Sequence, residues 1–237
     1  MSGQLYFRQL ESGSDFATDD ALARQMVNFT YAVGDLETGE ALLIDPAYRP
    51  NELVDQVEAD GLRVVGAVAT HYHADHVGGR LSGQFEIAGI VELLERIDVP
   101  VHVHELEARW ITERTGVGAG SLVSHVSGDE VRVGDLSATL IHTPGHTRGS
   151  QCVLIEGRLL SGDTLFLEGC GRTDLPGSDP DEMYLTLTQR LSGLDDEVVL
   201  YPGHHYSSER SASLATVRST NFVLAPTSAD QWLAMFS

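Results

Sequence analysis

Six residues, His71-Tyr72-His73-Ala74-Asp75-His76, constrain this chain more than any other segment. They crowd together three imidazoles and a carboxylate, four good ligands for a divalent first-row metal ion. Groups this close disfavour one another's charged forms, so a metal is the natural reason for such a cluster. The preceding run, Val64 to Ala69, is short, apolar and rich in β-branched residues, and reads as a buried strand ending at Thr70. The ligands therefore leave a strand at its C-terminal end, where open α/β sheets bind their ligands. Gly78 and Gly79 follow and let the backbone turn tightly before it moves off.

Three further islands repeat this grammar. Leu136 to Ile141 runs into Thr143-Pro144-Gly145-His146-Thr147, Arg158 to Ser161 into Gly162-Asp163-Thr164, and Val198 to Tyr201 into Pro202-Gly203-His204. Each strand-like run ends in a glycine followed at once by His or Asp. Strands are also predicted at Leu5 to Gln9, Phe29 to Val33, Ala41 to Ile44, Val99 to Val103, Val131 to Val133 and Gln151 to Ile155. Helical patterns cover Asn51 to Asp60, Ile87 to Ile97, Glu105 to Arg114, Asp181 to Leu191 and Ser208 to Arg218. Pro50 and Pro180 stand where helices begin.

Taken in order, HxHxDH, a distant GH, a GD and a final PGH resemble the metallo-β-lactamase superfamily, from about Asn28 to His204. Gly169-Cys170-Gly171-Arg172-Thr173-Asp174 is similar to a GxGR(S/T)D segment shared by the glyoxalase II group and the persulfide dioxygenases. Asp45-Pro46, after the strand Ala41 to Ile44, fits the same pattern. The resemblance implies an α/β fold of four layers, an αββα sandwich with metals at one rim between two sheets. A chain of 237 residues, 42% hydrophobic and without a proline-rich linker, is compatible with a single domain over residues 1–237.

Carried onto this chain, the resemblance implies that His71, His73 and His146 hold one ion and that Asp75, His76 and His204 hold a second, with Asp163 bridging. Zinc is the first expectation for both, with iron or manganese as alternatives. Two ions about 3.5–4 Å apart can share a water and lower its pKa toward about 7. The resulting hydroxide attacks an acyl carbon while the metals stabilise the oxyanion, so no serine or cysteine nucleophile is needed. A thiolate leaves readily, so a thioester is the expected substrate and the reaction is like that of hydroxyacylglutathione hydrolases. Asp75 and Asp163 are the expected catalytic carboxylates; Arg148, Cys170 and Arg172 are the candidates for touching substrate.

A second chemistry uses the same residues. In persulfide dioxygenases a single Fe(II) would sit on His71, His146 and Asp163, two histidines and a carboxylate that leave positions open for O2 and a sulfur substrate. Ala74 and the GCGRTD segment lean that way; the long span from His76 to His146, with its amphipathic stretch Ile87 to Ile97, leans back. The residues after His204 are too few for the helical C-terminal domain of a full glyoxalase II, and the tail with Trp232 and Phe236 reads as a helix docked on the core. A reading of another class is a non-catalytic scaffold that keeps metal for stability.

Charge and composition exclude other classes. A formal charge of −20 argues against nucleic acid, since a phosphate backbone would be repelled. No apolar run approaches the roughly 20 residues needed to span a bilayer. The stretch Met1 to Tyr6 lacks the marks of a signal peptide, so a cytoplasmic location is expected. The partner expected is a small-molecule thioester or thiol-derived substrate, with a homodimer allowed. Cys152 and Cys170 form no CxxC pair; Cys152 falls in a strand and reads as core. Glu11 to Asp20 reads as a solvated acidic loop, and His102, His104, His125, His142 and His205 as surface or packing residues.

Overall fold

The computed structural model describes residues 3–81, 83, 85–226 and 228–236, so Met1 and Ser2 of the stretch read for a leader lie outside it. The first half of the chain runs β1 (Leu5–Glu11), α1 (Ala21–Met26), β2 (Phe29–Asp35), β3 (Glu40–Ile44), α2 (Pro50–Ala59), β4 (Arg63–Val68) and α3 (Ala74–Val77). A ribbon of β5 (Gly79–Leu81) and β6 (Phe85–Ile87) follows, then α4 (Ile90–Arg96), β7 (Val101–His104), α5 (Glu105–Thr115) and β8 (Leu122–His125). The second half runs β9 (Glu130–Val133), β10 (Leu136–His142), β11 (Gln151–Ile155), β12 (Arg158–Gly162) and α6 (Pro180–Leu185), which continues as a π-helical turn (Thr186–Arg190). It closes with β13 (Val199–Pro202), β14 (Ala212–Ser213), α7 (Leu214–Thr220) and α8 (Ala229–Leu233).

Among the described residues the long strands form two six-stranded sheets, ordered β1-β2-β3-β4-β7-β8 and β14-β13-β12-β11-β10-β9. Period-two alternation assigns their faces. Phe29, Tyr31 and Val33 of β2 and Leu42 and Ile44 of β3 meet Leu136, Ala138 and Leu140 of β10 between the sheets. The opposite faces, with Ala32, Leu43 and Ala67, are covered by Leu53, Leu93 and Ile111 of α2, α4 and α5. Cys152 and Leu159 of the second sheet are covered by Met183, Val217 and Trp232 of α6, α7 and α8. These three cores define the four-layer αββα order. They also explain why the strands read as nearly continuous apolar runs, since both faces are buried.

Several boundaries differ from the sequence reading. The helix expected from Ile87 begins at Ile90, because β6 pairs with β5 and the Gly89 N–H donates to Glu92 Oε2 (2.7 Å) to open α4. The helix expected over Asp181 to Leu191 changes from α to π at Thr186, whose hydroxyl donates to Pro144 O (2.6 Å). The helix expected from Ser208 starts at Leu214, capped by Ser213; the residues before it carry β14, and Arg210, which pairs with Glu11 and Asp15. Glu11 to Asp20 is no solvated loop. Glu11, Phe16 and Ala17 are buried, and Asp20 caps α1 through the N–H groups of Leu22 and Ala23. The tail docks through Trp232, fully buried with its Nε1–H donating to Val223 O (3.0 Å), yet Phe236 beyond it lines the cavity described below. No helix among the described residues is long and apolar enough to cross a membrane.

Candidate metal centre

The C-terminal ends of β4, β10, β12 and β13 meet at one rim of the sandwich, and hydrogen bonds between the sheets close that rim. Gln151, at the start of β11, donates from its backbone to Thr70 O (2.9 Å) and from its side-chain amide to Ala69 O (2.8 Å). Across the rim, Phe29 N–H donates to Gly203 O (2.8 Å) and His205 N–H to Val27 O (3.0 Å). The glycines before the ligands are packing requirements. A Cβ on Gly203 would stand 2.5 Å from Asp163 Oδ1, and one on Gly162, at φ +49°, 2.5 Å from Thr70 Oγ1.

The seven residues expected as ligands converge here in two groups. In the first, His73 Nδ1 lies 3.0 Å from His71 Nε2 and 2.9 Å from His146 Nε2. In the second, His76 Nε2 and His204 Nε2 are 3.3 Å apart, and Asp75 Oδ2 is 3.6 and 3.4 Å from them. Asp163 stands between: Oδ1 is 3.3 and 3.4 Å from His76 and His204, while Oδ2 turns to His146 at 3.6 Å.

Four of the five rings, those of His71, His76, His146 and His204, are held by the far nitrogen. His146 Nδ1–H donates to Arg172 O (2.8 Å) and His204 Nδ1–H to Met26 O (2.8 Å). Carbonyls only accept, so in the neutral form of each ring the lone pair is on Nε2, facing inward. Asp45, at the end of β3, does the same for two more. Its carboxylate accepts from Thr70 N (2.7 Å), from Thr70 Oγ1 (2.6 Å) and from His76 Nδ1 (2.8 Å). The Thr70 hydroxyl has then spent its proton, so at 3.0 Å it accepts from His71 Nδ1–H. Asn28, just before β2, approaches the second group with Nδ2 3.1 Å from Asp75 Oδ2, and its Oδ1 accepts from the Tyr48 hydroxyl (3.0 Å).

These groups fit metal ions. In the first group the Nε2 atoms of His71 and His146 both lie within 3.0 Å of His73 Nδ1, and the three nitrogens have at most one proton, on His73, to share among them. Asp163 Oδ1 is buried without any hydrogen-bond partner, a costly state unless a cation faces it. Spacings of 3.3–3.6 Å in the second group match the roughly 3.3 Å edge of a tetrahedron whose ligands lie about 2.0–2.1 Å from the ion. Titration follows charge. Burial and neighbouring imidazoles hold His71 well below the usual histidine range and His73 down at about 3. Burial opposes charge on His204 too, but Asp163 and Asp75 outweigh it and lift His204 to about 9. In the ion-free protein, protons on the second group thus stand in for cations that a metal would displace.

The substrate candidates divide. Cys170 and Arg172 line a cavity of about 770 Å³ that opens onto His73, Asp75, His146, Asp163 and His204. Burial pushes the Cys170 thiol up to about 12, so it stays protonated at neutral pH. Arg172 is engaged bidentately by Asp174 (2.9 and 2.8 Å). Arg148 is exposed and does not line the cavity; its carbonyl accepts from the His142 ring (2.9 Å) while its side chain faces solvent. Among the other histidines, His102 contacts His125, His104 stacks on His142, and His205 pairs with Glu11.

Sequence reasoning missed three residues: Asn28, Glu107 and Arg114. No local motif marks them, because each is brought in by a neighbouring element. Glu107, on α5 and only 1% exposed, accepts from Tyr72 N (2.7 Å), Thr147 Oγ1 (2.9 Å) and Gly149 N (2.8 Å), tying the loop of His71 and His73 to that of His146. Glu107→Ala would strand these donors. It is expected to cost about 2–4 kcal/mol in chemical denaturation and to loosen metal binding at the three-histidine group. Glu107→Gln, which can still accept at one oxygen, should fall between; wild-type stability in Glu107→Ala would refute this role.

The fold and this centre match known proteins. The family model for the metallo-β-lactamase superfamily matches residues 24–81 and 87–204, and the chain belongs to that superfamily. Human persulfide dioxygenase ETHE1 is 29% identical over 211 residues, 84% of this chain and 74% of its own length. The hydroxyacylglutathione hydrolase of Synechococcus sp. is 31% identical over 216 residues, 86% of this chain and 75% of its own. The crystal structure of ETHE1 from Myxococcus xanthus superposes with a TM-score of 0.78 at 30% identity, covering 98% of this chain and 89% of that one. The group to which the chain is similar thus contains both hydrolases and dioxygenases, and the chain is a metal-dependent enzyme of this fold.

Proposed function

We propose that this protein is a two-ion hydrolase that cleaves a thioester. Asp163 carries the reading: it turns one oxygen toward each histidine group, and the oxygen facing His76 and His204 makes no hydrogen bond among the described residues. That is the posture of a bridging ligand. His71, His73 and His146 would hold one ion, and Asp75, His76 and His204 the other. When bound, the pair activates water and polarises a carbonyl. The chain's own residues orient the centre. Asp45, Thr70 and the carbonyls of Met26 and Arg172 fix the ring tautomers. Phe166 and Tyr206 pack on the His204 ring and form an aromatic wall at one side of the site. Water adds across the acyl carbon–sulfur bond, giving a carboxylic acid and a thiol. Similarity to the hydroxyacylglutathione hydrolase supports this chemistry.

The second reading, a single-iron persulfide dioxygenase on His71, His146 and Asp163, is favoured by the similarity to the human and Myxococcus xanthus ETHE1 proteins. Metal analysis of protein purified without chelator separates the two. About two ions per chain with thioester turnover is the expected result. About one iron per chain, with oxygen uptake on a persulfide and no thioester cleavage, would overturn it.

A further inference from the structure

Beyond the metal groups, the cavity is mainly apolar. Phe166, Tyr206, Phe222 and Phe236 contribute four aromatic rings, with Leu81 and Leu175 between them. Tyr206, Phe222 and Phe236 remain substantially exposed, so the collar is open to a ligand rather than filled by the protein. The C-terminal segment is fastened to it. Asn221 Oδ1 accepts from Gly169 N (2.9 Å), and its Nδ2 donates to Phe166 O and Gly169 O (both 3.0 Å). This sets Phe222 against the loop that carries Cys170 and Arg172.

Two cations face the cavity. Arg172 is spent on Asp174, whereas Arg114 has no carboxylate partner among the described residues. Arg114 lies over the Tyr72 ring (5.5 Å), with one N–H donating to Arg80 O (2.8 Å). Tyr72 in turn packs on the ring of His73 (4.7 Å), a member of the three-histidine group, so one ring separates Arg114 from that group. In a chain of net charge −20, an arginine facing a cavity with donors to spare is a docking point for an anion. The lining also includes one carboxylate, the exposed Glu168.

We infer that the cavity takes a thioester with an aryl or branched apolar body and one terminal carboxylate, held by Arg114, in preference to a peptidic thiol such as glutathione. This rests on the hydrolase reading and specifies its substrate. A glutathione conjugate brings two carboxylates and an ammonium, and the cavity offers one uncommitted cation and a wall of rings. Its remaining charges would be desolvated without partners. An aryl body instead buries against Phe166, Phe222 and Phe236.

Calorimetric binding to the zinc-loaded protein tests this with 3-(benzylthio)propanoate, a thioether that cannot be hydrolysed. The acid should bind about tenfold or more tightly than its methyl ester and than S-methylglutathione. Arg114→Ala should erase the difference between acid and ester, and Arg114→Lys should restore part of it. Phe222→Ala should weaken acid and ester alike. Equal binding of acid and ester by the wild type, an acid preference that persists in Arg114→Ala, or tighter binding of S-methylglutathione would each overturn the proposal. Because binding is read without turnover, Arg114-dependent binding with no thioester cleavage would fault the hydrolase reading alone. Cleavage of S-acylglutathione unaffected by Arg114→Ala would fault the substrate assignment alone.

Discussion

Asp163→Asn is expected to lower thioester turnover by about three orders of magnitude or more and to reduce bound metal from about two ions per chain toward one. The substitution keeps the shape of the side chain and removes its charge. The fold should tolerate it, because Asp163 Oδ1 accepts no hydrogen bond among the described residues and the bound metal, not the fold, relies on its charge. What it loses is the anion shared between the two groups, 3.3 Å from His76 on one side and 3.6 Å from His146 on the other. An amide can present only one acceptor oxygen and would aim its NH2 at one of those faces. Steady-state kinetics and plasma mass spectrometry on the same preparation check both halves. Turnover within tenfold of wild type would sink the assignment of Asp163.

His73→Ala should have the second largest effect, and it separates the two chemistries. His73 Nδ1 is the common neighbour of His71 Nε2 and His146 Nε2, so its loss opens the three-histidine group. For a two-ion hydrolase, activity should drop by about two to three orders of magnitude, and one ion should remain with Asp75, His76 and His204. For a single iron on His71, His146 and Asp163, His73 is no ligand, and iron content and oxygen uptake should largely persist. Near-normal iron with sustained persulfide oxidation in this variant would therefore reject the hydrolase.

Much of the metal centre was legible because metal ligation needs particular side chains close to strand ends, and those side chains leave short-range marks. HxHxDH, Gly145-His146, Gly162-Asp163 and Gly203-His204 each combine a candidate ligand with the turn that aims it, and the structure brings all seven residues together. The family's Pro-Gly-His pattern distinguished His204 from its neighbour His205; His204 faces the centre and His205 turns to Glu11. Residues that act by tertiary contact were not legible. Arg148 adjoins a ligand loop in sequence yet faces solvent, whereas Arg114 stands far from any motif and reaches the cavity because α5 passes it. Glu107 looked like any helical acid. Its role appears only when Tyr72, Thr147 and Gly149 converge on it.

By itself the sequence located most strands and the glycine turns that deliver His and Asp at their ends, because both rest on local rules, and the family resemblance carried by those turns implied the layer order and the seven candidate ligands. The edges were weaker. β8 and β14 are short border strands with little apolar periodicity, and they form because a neighbouring strand offers them hydrogen bonds. Only the tertiary structure decided which nitrogen of each histidine faces inward, which oxygen of Asp163 is left unpaired and which arginine faces substrate. For His146 and His204 these depend on carbonyls 26 and 178 residues away, Arg172 O and Met26 O. No local pattern encodes such pairings; the packing of the two sheets at their common rim creates them.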